Sequence, residues 1–332
     1  MKKNDPLQSR LLRLLQKDFP LVSRPFQVLA EKAGLSEEAL LGRVEEWVHS
    51  GLIRRLSATF DSRSLGYTSA LVAAAVEGKN LDEVVQFVNR HPGVTHNYER
   101  LHTLNLWFTV TAASQASIDR FLNQVRTLEG VWDLLKLPAV EYYKLNVSLD
   151  PETGENRAEA PVHPPAARPK TPASFSEKEK ALVRAVQNKI PLHSRPFEVI
   201  GQRVEFTEEE VLSRLSLWKS AGIIRKVGAV LNHRRVGTSA NALVVWLVPE
   251  KISREVGLKM AVFPQVSHCY RRTTYPNWPY SHYTMIHARD EEHLSRVIQS
   301  IAQETGIEDF LVLKSGREFK KAPMRYFEKD QG

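Results

Sequence analysis

The sequence predicts an α+β protein built as a tandem repeat, each half a winged helix-turn-helix followed by a ferredoxin-like βαββαβ domain. Three observations predict it. Segments recur at a fixed displacement. Pro20-Leu21-Val22-Ser23-Arg24-Pro25-Phe26 returns as Pro191-Leu192-His193-Ser194-Arg195-Pro196-Phe197, Trp47 as Trp218, and Gly51-Leu52-Ile53-Arg54-Arg55 as Gly222-Ile223-Ile224-Arg225-Lys226, each 171 positions later (residue 20 to residue 191). Gly66 and Gly237 keep that displacement. A second motif, V-[ST]-H-x-Y-x-R, occurs as Val94–Arg100 and again as Val266–Arg272. Finally, helical spacing gives way to alternation within each half, and the halves meet at a stretch with six prolines between Pro151 and Pro172.

The elements follow in order. Leu7 to Lys17 has apolar residues at helical spacing. Arg24 to Ala33 makes a second helix, with Ser23 as its expected cap, Pro25 at its first position and Gly34 ending it. Ser36-Glu37-Glu38 opens a third helix that stops at Gly51, and Thr207 is the matching cap in the second half. Ile53 to Phe60 alternates as a wing strand. Beyond it come a strand (Ser69 to Val76), an amphipathic helix (Asn80 to Asn89), strands at His96 to Tyr98 and Leu104 to Ala112, a helix (Ile118 to Leu128) and one closing strand (Leu134 to Lys144). The second half matches from Ala242 to Phe327, with an insertion around Tyr275-Pro276-Asn277-Trp278-Pro279. The expected units are 1–62 and 174–233 (winged helices), 63–150 and 234–332 (ferredoxin-like domains), and 151–173, an extended polyproline-like linker.

The chain has 332 residues, 42% apolar and 25% charged, enough for a globular protein with sizeable cores. Its net charge of +8 is compatible with nucleic acid, an acidic membrane surface or a small polyanionic ligand, and does not choose among them. The one cysteine, Cys269, excludes an internal disulfide and any site made of several cysteines, and fits a reducing cytoplasm. The N-terminal apolar run is broken by Arg13 and Lys17 and reads as a helix rather than a signal peptide; no stretch approaches a membrane span.

The densest chemistry lies between His268 and Tyr283. The first-half pair Glu99-Arg100 becomes Arg271-Arg272 in the second half, and His282 has no first-half counterpart. Alignment places His282 near Trp107, and alternation puts His282 and Thr284 on one face and Tyr283 on the other. His282 would share a pocket with His268 if their strands are neighbours. Tyr270, Tyr275, Trp278, Tyr280 and Tyr283 would suit a flat ligand, though aromatics among cations also suit single-stranded nucleic acid. Against DNA, the third helices begin Glu37-Glu38 and Glu208-Glu209-Glu210, which repel phosphate. Arg54-Arg55 and Arg225-Lys226 sit on the wings, facing either DNA or the second domain.

A winged helix joined to a ferredoxin-like domain resembles the Lrp/AsnC regulators. The S-R-P-F segments at residues 23–26 and 194–197 and the H-x-Y-x-R segments at 96–100 and 268–272 resemble an offshoot of that superfamily, the siroheme decarboxylases. That family usually works as two related subunits; this chain resembles both fused, as in the haem d1 pathway. The resemblance implies an enzyme that removes the carboxyl groups of two siroheme acetates, giving 12,18-didecarboxysiroheme and CO2. It needs no cofactor beyond the iron of the substrate, and an internal pseudo-dimer is expected with neither membrane nor DNA as partner. Its implied catalytic residues are His268, His282 and His96, with His268 and His96 both candidates to contact the substrate iron. Its implied substrate-binding residues are Arg271, Arg272, Tyr270, Arg100, Tyr98, Arg195, Trp278, Lys314 and Arg317. The competing readings are a haem-responsive DNA-binding regulator and a tetrapyrrole carrier.

Overall fold

The computed structural model describes residues 6–17, 19–145, 174–232 and 240–328; the expected linker and Gly237 lie outside them. The first half runs α1 (Pro6–Lys17), α2 (Pro25–Ala33), α3 (Glu37–His49), β1 (Ile53–Phe60), β2 (Thr68–Val76), α4 (Leu81–Arg90), β3 (Val94–Arg100), β4 (Leu106–Ala112), α5 (Gln115–Arg126), β5 (Val131–Leu137) and β6 (Ala139–Leu145). The second runs α6 (Glu177–Asn188), α7 (Pro196–Val204), α8 (Glu208–Ser220), β7 (Ile224–Leu231), β8 (Ala240–Trp246), α9 (Ser253–Val262), β9 (Val266–Arg272), β10 (His282–Ala288), α10 (Glu291–Thr305) and β11 (Phe310–Lys321). The repeat and the βαββαβ order are those expected from the sequence. Among the described residues no helix is long and apolar enough to cross a membrane.

The winged helices are not two separate bodies. Their wings pair with each other, β1 antiparallel to β7, and one apolar core runs through both, from Leu11, Phe26 and Trp47 to Phe197, Leu215 and Trp218. Ser36 and Thr207 cap α3 and α8 as expected, accepting hydrogen bonds from Ala39 N and Glu210 N. Ser23 does not cap α2. Arg24 holds that position and makes no capping bond, its side chain having no acceptor to offer, and Pro25 follows at the first helical position as expected. The Ser23 hydroxyl instead donates to Glu208 of the other half, at 3.0 Å.

The expected single closing strand is two. Pro138 separates β5 from β6, since proline cannot donate to a ladder. β5 pairs with β2 of its own half, whereas β6 crosses over and pairs with β9 of the second half. β11 mirrors this within one long strand: Phe310 to Lys314 pair with β8, and Ser315 to Lys321 pair with β3 of the first half. The resulting nine-stranded sheet has the order β5-β2-β4-β3-β11-β8-β10-β9-β6. Its end strands are joined through Pro138, so it closes on itself. The helices of each half cover the outside through their own cores. The interior is filled by Ala73, Trp107 and Leu137 from one half and by Val245, Tyr283 and Leu313 from the other.

Tyr143 on β6 shows how tightly the halves are joined. Its ring stacks on His282 (centroids 5.5 Å apart, planes at 9°), and its hydroxyl donates to Glu141 at 2.9 Å. Gly257 of α9 packs on that ring, and a Cβ there would lie 2.2 Å from it. A ring held by a stack and a hydrogen bond has nowhere to go. Gly257→Ala is therefore expected to destabilise by about 1–3 kcal/mol, the usual cost of overpacking. Thermal melts check this; an unchanged melting temperature would contradict the packing.

Candidate active site at the mouth of the closed sheet

Each histidine motif carries a β-bulge. In the β3–β4 ladder the register slips between Val94 and His96, and in the β9–β10 ladder it slips between Met285 and Ile286, opposite Ser267. Residues two apart on a regular strand share a face. Val94 and Val266 lie in the helix-covered cores, so regular strands would send His96 and His268 there too. The extra residue, Thr95 or Ser267, turns both histidines into the interior, with Tyr98 and Tyr270. Gly93 makes the turn before β3 possible, because a Cβ there would sit 1.9 Å from the Thr111 carbonyl oxygen.

His96 on β3 and His268 on β9 lie near enough for the charge of one to lower the pKa of the other. In each the bulge hydroxyl meets Nδ1: Thr95 Oγ1 at 3.0 Å and Ser267 Oγ at 2.8 Å. The rings lie beside Tyr98 (6.4 Å) and Tyr270 (6.0 Å). Burial holds His268 down to about 3, helped by the charges of His287, His96, Arg225 and Arg272. His96 is exposed at the surface, whereas His268 is half-buried. Desolvation lowers His96 to about 4, with Lys321 and Arg54 adding to the effect and Glu318 opposing it. Both imidazoles are neutral at pH 7.

The surroundings are cationic. Arg54 and Arg225, on the paired wings, bear on His96 and His268 respectively, so the wings face the second domains. Arg225 is held by Asp61. Lys226, on the same ribbon, is driven down to about 8 by burial alone. Deeper in, Arg100 donates to the Leu313 carbonyl at 3.1 Å, and Arg272 to the Leu137 carbonyl at 2.7 Å. Each guanidinium lies over the tyrosine of its own motif, at 5.4 and 4.7 Å, and each Nε is buried without a partner among the described residues. These two arginines brace the crossover strands and add uncompensated charge beneath the mouth.

The site residues expected from sequence divide accordingly. His96, Tyr98, Arg100, His268, Tyr270 and Arg272 share the interior face. The others do not join them. His282 pairs with Arg271, and both point to the outer, helix-covered face, opposite His268. The strands are neighbours, as a shared pocket required, but Arg271 is three positions from His268, so His282 beside it takes the opposite face. His282 occupies the position of Leu106, and Tyr283 that of Trp107. Its Nε2 donates to the Ser253 carbonyl at 2.9 Å and its Nδ1 lies 2.9 Å from Ser281 Oγ, which makes it a satisfied structural residue. Arg271 is bidentate to Glu250. Arg195 lies in the winged helix on Glu208, and Arg24 repeats the pairing with Glu37, so the acidic helix starts are partners of the S-R-P-F arginines. Trp278 is a buried plug, donating to Tyr283 Oη at 2.7 Å and packing on Trp107. Lys314 and Arg317 pair on the outside with Glu291, and with Glu99 and Asp82. Arg54 and Arg225 take the second of the two orientations expected for the wings, beside the second domains, and Lys321 is a further neighbour of His96; the residue missed in the sequence is His287. Period-two counting back from His287 to Met285 and Tyr283 would have put it on the interior face.

Comparison with known proteins follows the same division. Residues 64–144 and 235–320 match the AsnC-like ligand binding domain, and residues 8–54 and 179–225 match the siroheme decarboxylase NirDL-like HTH domain. The chain is similar to a siroheme decarboxylase of Hydrogenobacter thermophilus, 40% identical over 97% of this chain and 95% of that one. It is also similar to a siroheme decarboxylase beta subunit of Methanosarcina barkeri, 42% identical over 43% of this chain and 95% of that one. The crystal structure of siroheme decarboxylase NirDL in complex with an iron-uroporphyrin III analogue superposes with a TM-score of 0.74, at 36% identity over 97% of this chain and 95% of that one.

The assignment of His282 as structural has a pH consequence. Burial holds its folded pKa at about 4, below the ordinary value of 6.5, so the folded state binds fewer protons than the unfolded one. The stability this gives is complete above pH 6.5 and is lost as pH falls toward 4. His282→Gln is expected to be less stable at pH 7.5, with a shallower loss between pH 6.5 and 4. Denaturant melts across that range check it; a parallel pH profile would contradict it.

Proposed function

The chain belongs to the siroheme decarboxylase family, in its fused form, and on that premise we propose that it removes two acetate carboxyl groups from siroheme, giving 12,18-didecarboxysiroheme and CO2. One observation supports this reading: the motif histidines of both halves lie within each other's electrostatic reach and among the cations Arg54, Arg225 and Lys321. A buried cation without an anion is costly. A substrate bearing many carboxylates supplies an anion to the half-buried Lys226 and further partners to the exposed Arg54 and to Arg225 beside Asp61, while Tyr98 and Tyr270 offer flat faces to the macrocycle. An interior closed by a sheet of this size suits one ligand at its mouth.

Each decarboxylation converts a ring-attached CH2–COO⁻ and one proton into CH3 and CO2. The electron pair of the broken C–C bond passes to the ring-attached carbon, and the macrocycle can delocalise it. The protein's part is to hold the remaining carboxylates, turn the leaving one away from the cations, and deliver a proton to that carbon. His96 and His268 are the groups placed for delivery. Their neutrality follows from desolvation among cations; the anionic substrate reverses the local field and favours proton uptake by the imidazoles around it. Iron enters with the substrate and is no part of this assignment.

The regulator reading is weaker. The wing strands are engaged with each other, and the third helices start with carboxylates engaged by Arg24 and Arg195.

Anaerobic incubation with siroheme, followed by mass analysis for the loss of two carboxyl groups, tests the activity. The His96→Ala/His268→Ala double variant is expected to slow turnover by about 10²–10⁴-fold, the usual contribution of a general acid. Near-normal turnover in it would contradict the assignment. Binding of iron-uroporphyrin at pH 6.5 is also expected to take up protons, seen by calorimetry in buffers of different ionisation enthalpy. The His96→Gln/His268→Gln double variant should lose that uptake; the same uptake in the variant would contradict the coupling.

A further inference from the structure

The two halves differ behind their histidines. Ser267 Oγ touches three groups: His268 Nδ1 at 2.8 Å, His287 Nε2 at 3.0 Å and the Met285 carbonyl oxygen at 3.2 Å. A hydroxyl has one proton to give and two lone pairs to receive. When it donates to Met285 O, both imidazoles must donate to it, and His268 carries its proton on Nδ1. When it donates to His268 Nδ1, His268 carries its proton on Nε2, aimed into the mouth. In both settings His287 donates from Nε2; in a third, the hydroxyl donates to His287 Nε2 and His268 carries its proton on Nδ1. Its strand position is fixed independently by its backbone N–H, bonded to Gln265 O at 3.0 Å across the bulge.

The first half lacks this arrangement. Thr95 takes the place of Ser267, but the position of His287 is held by Thr111. Its backbone bond to Gly93 O is the same, while its hydroxyl meets Ser69 Oγ at 2.7 Å. The chain behind His96 therefore ends in hydroxyls, which do not take up a proton near neutral pH.

We propose that Ser267 and His287 are positioning residues that hold His268 as an Nε2–H donor and resupply its proton, so that His268, not His96, serves as the proton donor in decarboxylation. The proposal rests on the function proposed above. A neutral imidazole that gives up its Nε2 proton must gain one at Nδ1 or become an imidazolate. With a macrocycle filling the mouth, water does not reach Nε2. The Ser267 hydroxyl proton passes to Nδ1, and Ser267 takes the Nε2 proton of a doubly protonated His287, which is left neutral. The carbon gains one proton and the relay loses one. When product leaves, water protonates His268 Nε2 and the relay runs back, returning His287 to its protonated form.

The test compares Ser267→Ala, Ser267→Thr and His287→Gln with wild type in single-turnover decarboxylation of siroheme, alongside iron-uroporphyrin affinity. Threonine is the residue the first half uses, and it keeps the hydroxyl. Glutamine at 287 can still donate to Ser267 but has no ring to take up a proton. The expected result is a loss of about tenfold or more in the rate constant for Ser267→Ala and His287→Gln, with affinity within about twofold of wild type and Ser267→Thr retaining most of the rate. Near-wild-type rates in Ser267→Ala and His287→Gln overturn the proposal, as does an equal loss in Ser267→Thr, which marks the position as packing alone. Failure of the wild-type protein to decarboxylate siroheme would instead overturn the function itself.

Discussion

The exchange of strand segments between the halves is the constraint on which the site depends. β6 leaves its own domain to pair with β9, and the far part of β11 leaves its domain to pair with β3. Only through this exchange does the sheet close, and only in a closed sheet do β3 and β9 face each other across one interior. The buried arginines of the two motifs reinforce the exchange. Each bonds a carbonyl on a strand that crosses or leads to the crossing, Arg100 at Leu313 and Arg272 at Leu137. Lys144 and Lys320 repeat the logic on the outside. Lys144 donates to the Phe263 carbonyl and Lys320 to those of Asn89 and His91, at the ends of helices that belong to the opposite halves. These are favourable places for a cation.

A symmetric frame carrying unequal side chains explains the chemistry. Both walls present a histidine on a bulge with a hydroxyl behind Nδ1 and a tyrosine beside it. One wall then adds His287, and the insertion after β9 fills the deep end with Trp278, whose ring replaces water against Trp107 and Tyr283. The paired wings set Arg54 and Arg225 near the mouth. A winged-helix ribbon that would otherwise be free for a nucleic acid is thereby engaged within the molecule.

The fold was largely legible in the sequence, because repeats, caps and alternation are local signals. The 171-residue displacement exposed the two halves, and Ser36 and Thr207 marked the helix starts correctly. What escaped was non-local. Nothing adjacent to Pro138 says that the strand after it joins the other half. The site was legible in part for the same reason. The H-x-Y-x-R motifs named six residues that do share a face. Arg271 was misplaced because it was read together with Arg272 by adjacency, whereas counting by two from His268 reaches Tyr270 and Arg272 and passes over Arg271; His282 pairs with Arg271 and shares its face, so the gain of charge and imidazole in the second half lies outside the barrel. Lys314, Arg317 and Arg195 were singled out for charge alone, and each has a carboxylate partner that sequence distance hid.

The central claim is that one site is built jointly by both halves. Titration of the protein with iron-uroporphyrin, followed in the Soret band, tests it most directly. The account predicts saturation at one macrocycle per chain, with His96→Ala and His268→Ala each perturbing the same bound spectrum. Saturation at two per chain, with each substitution removing one of two independent components, would contradict it.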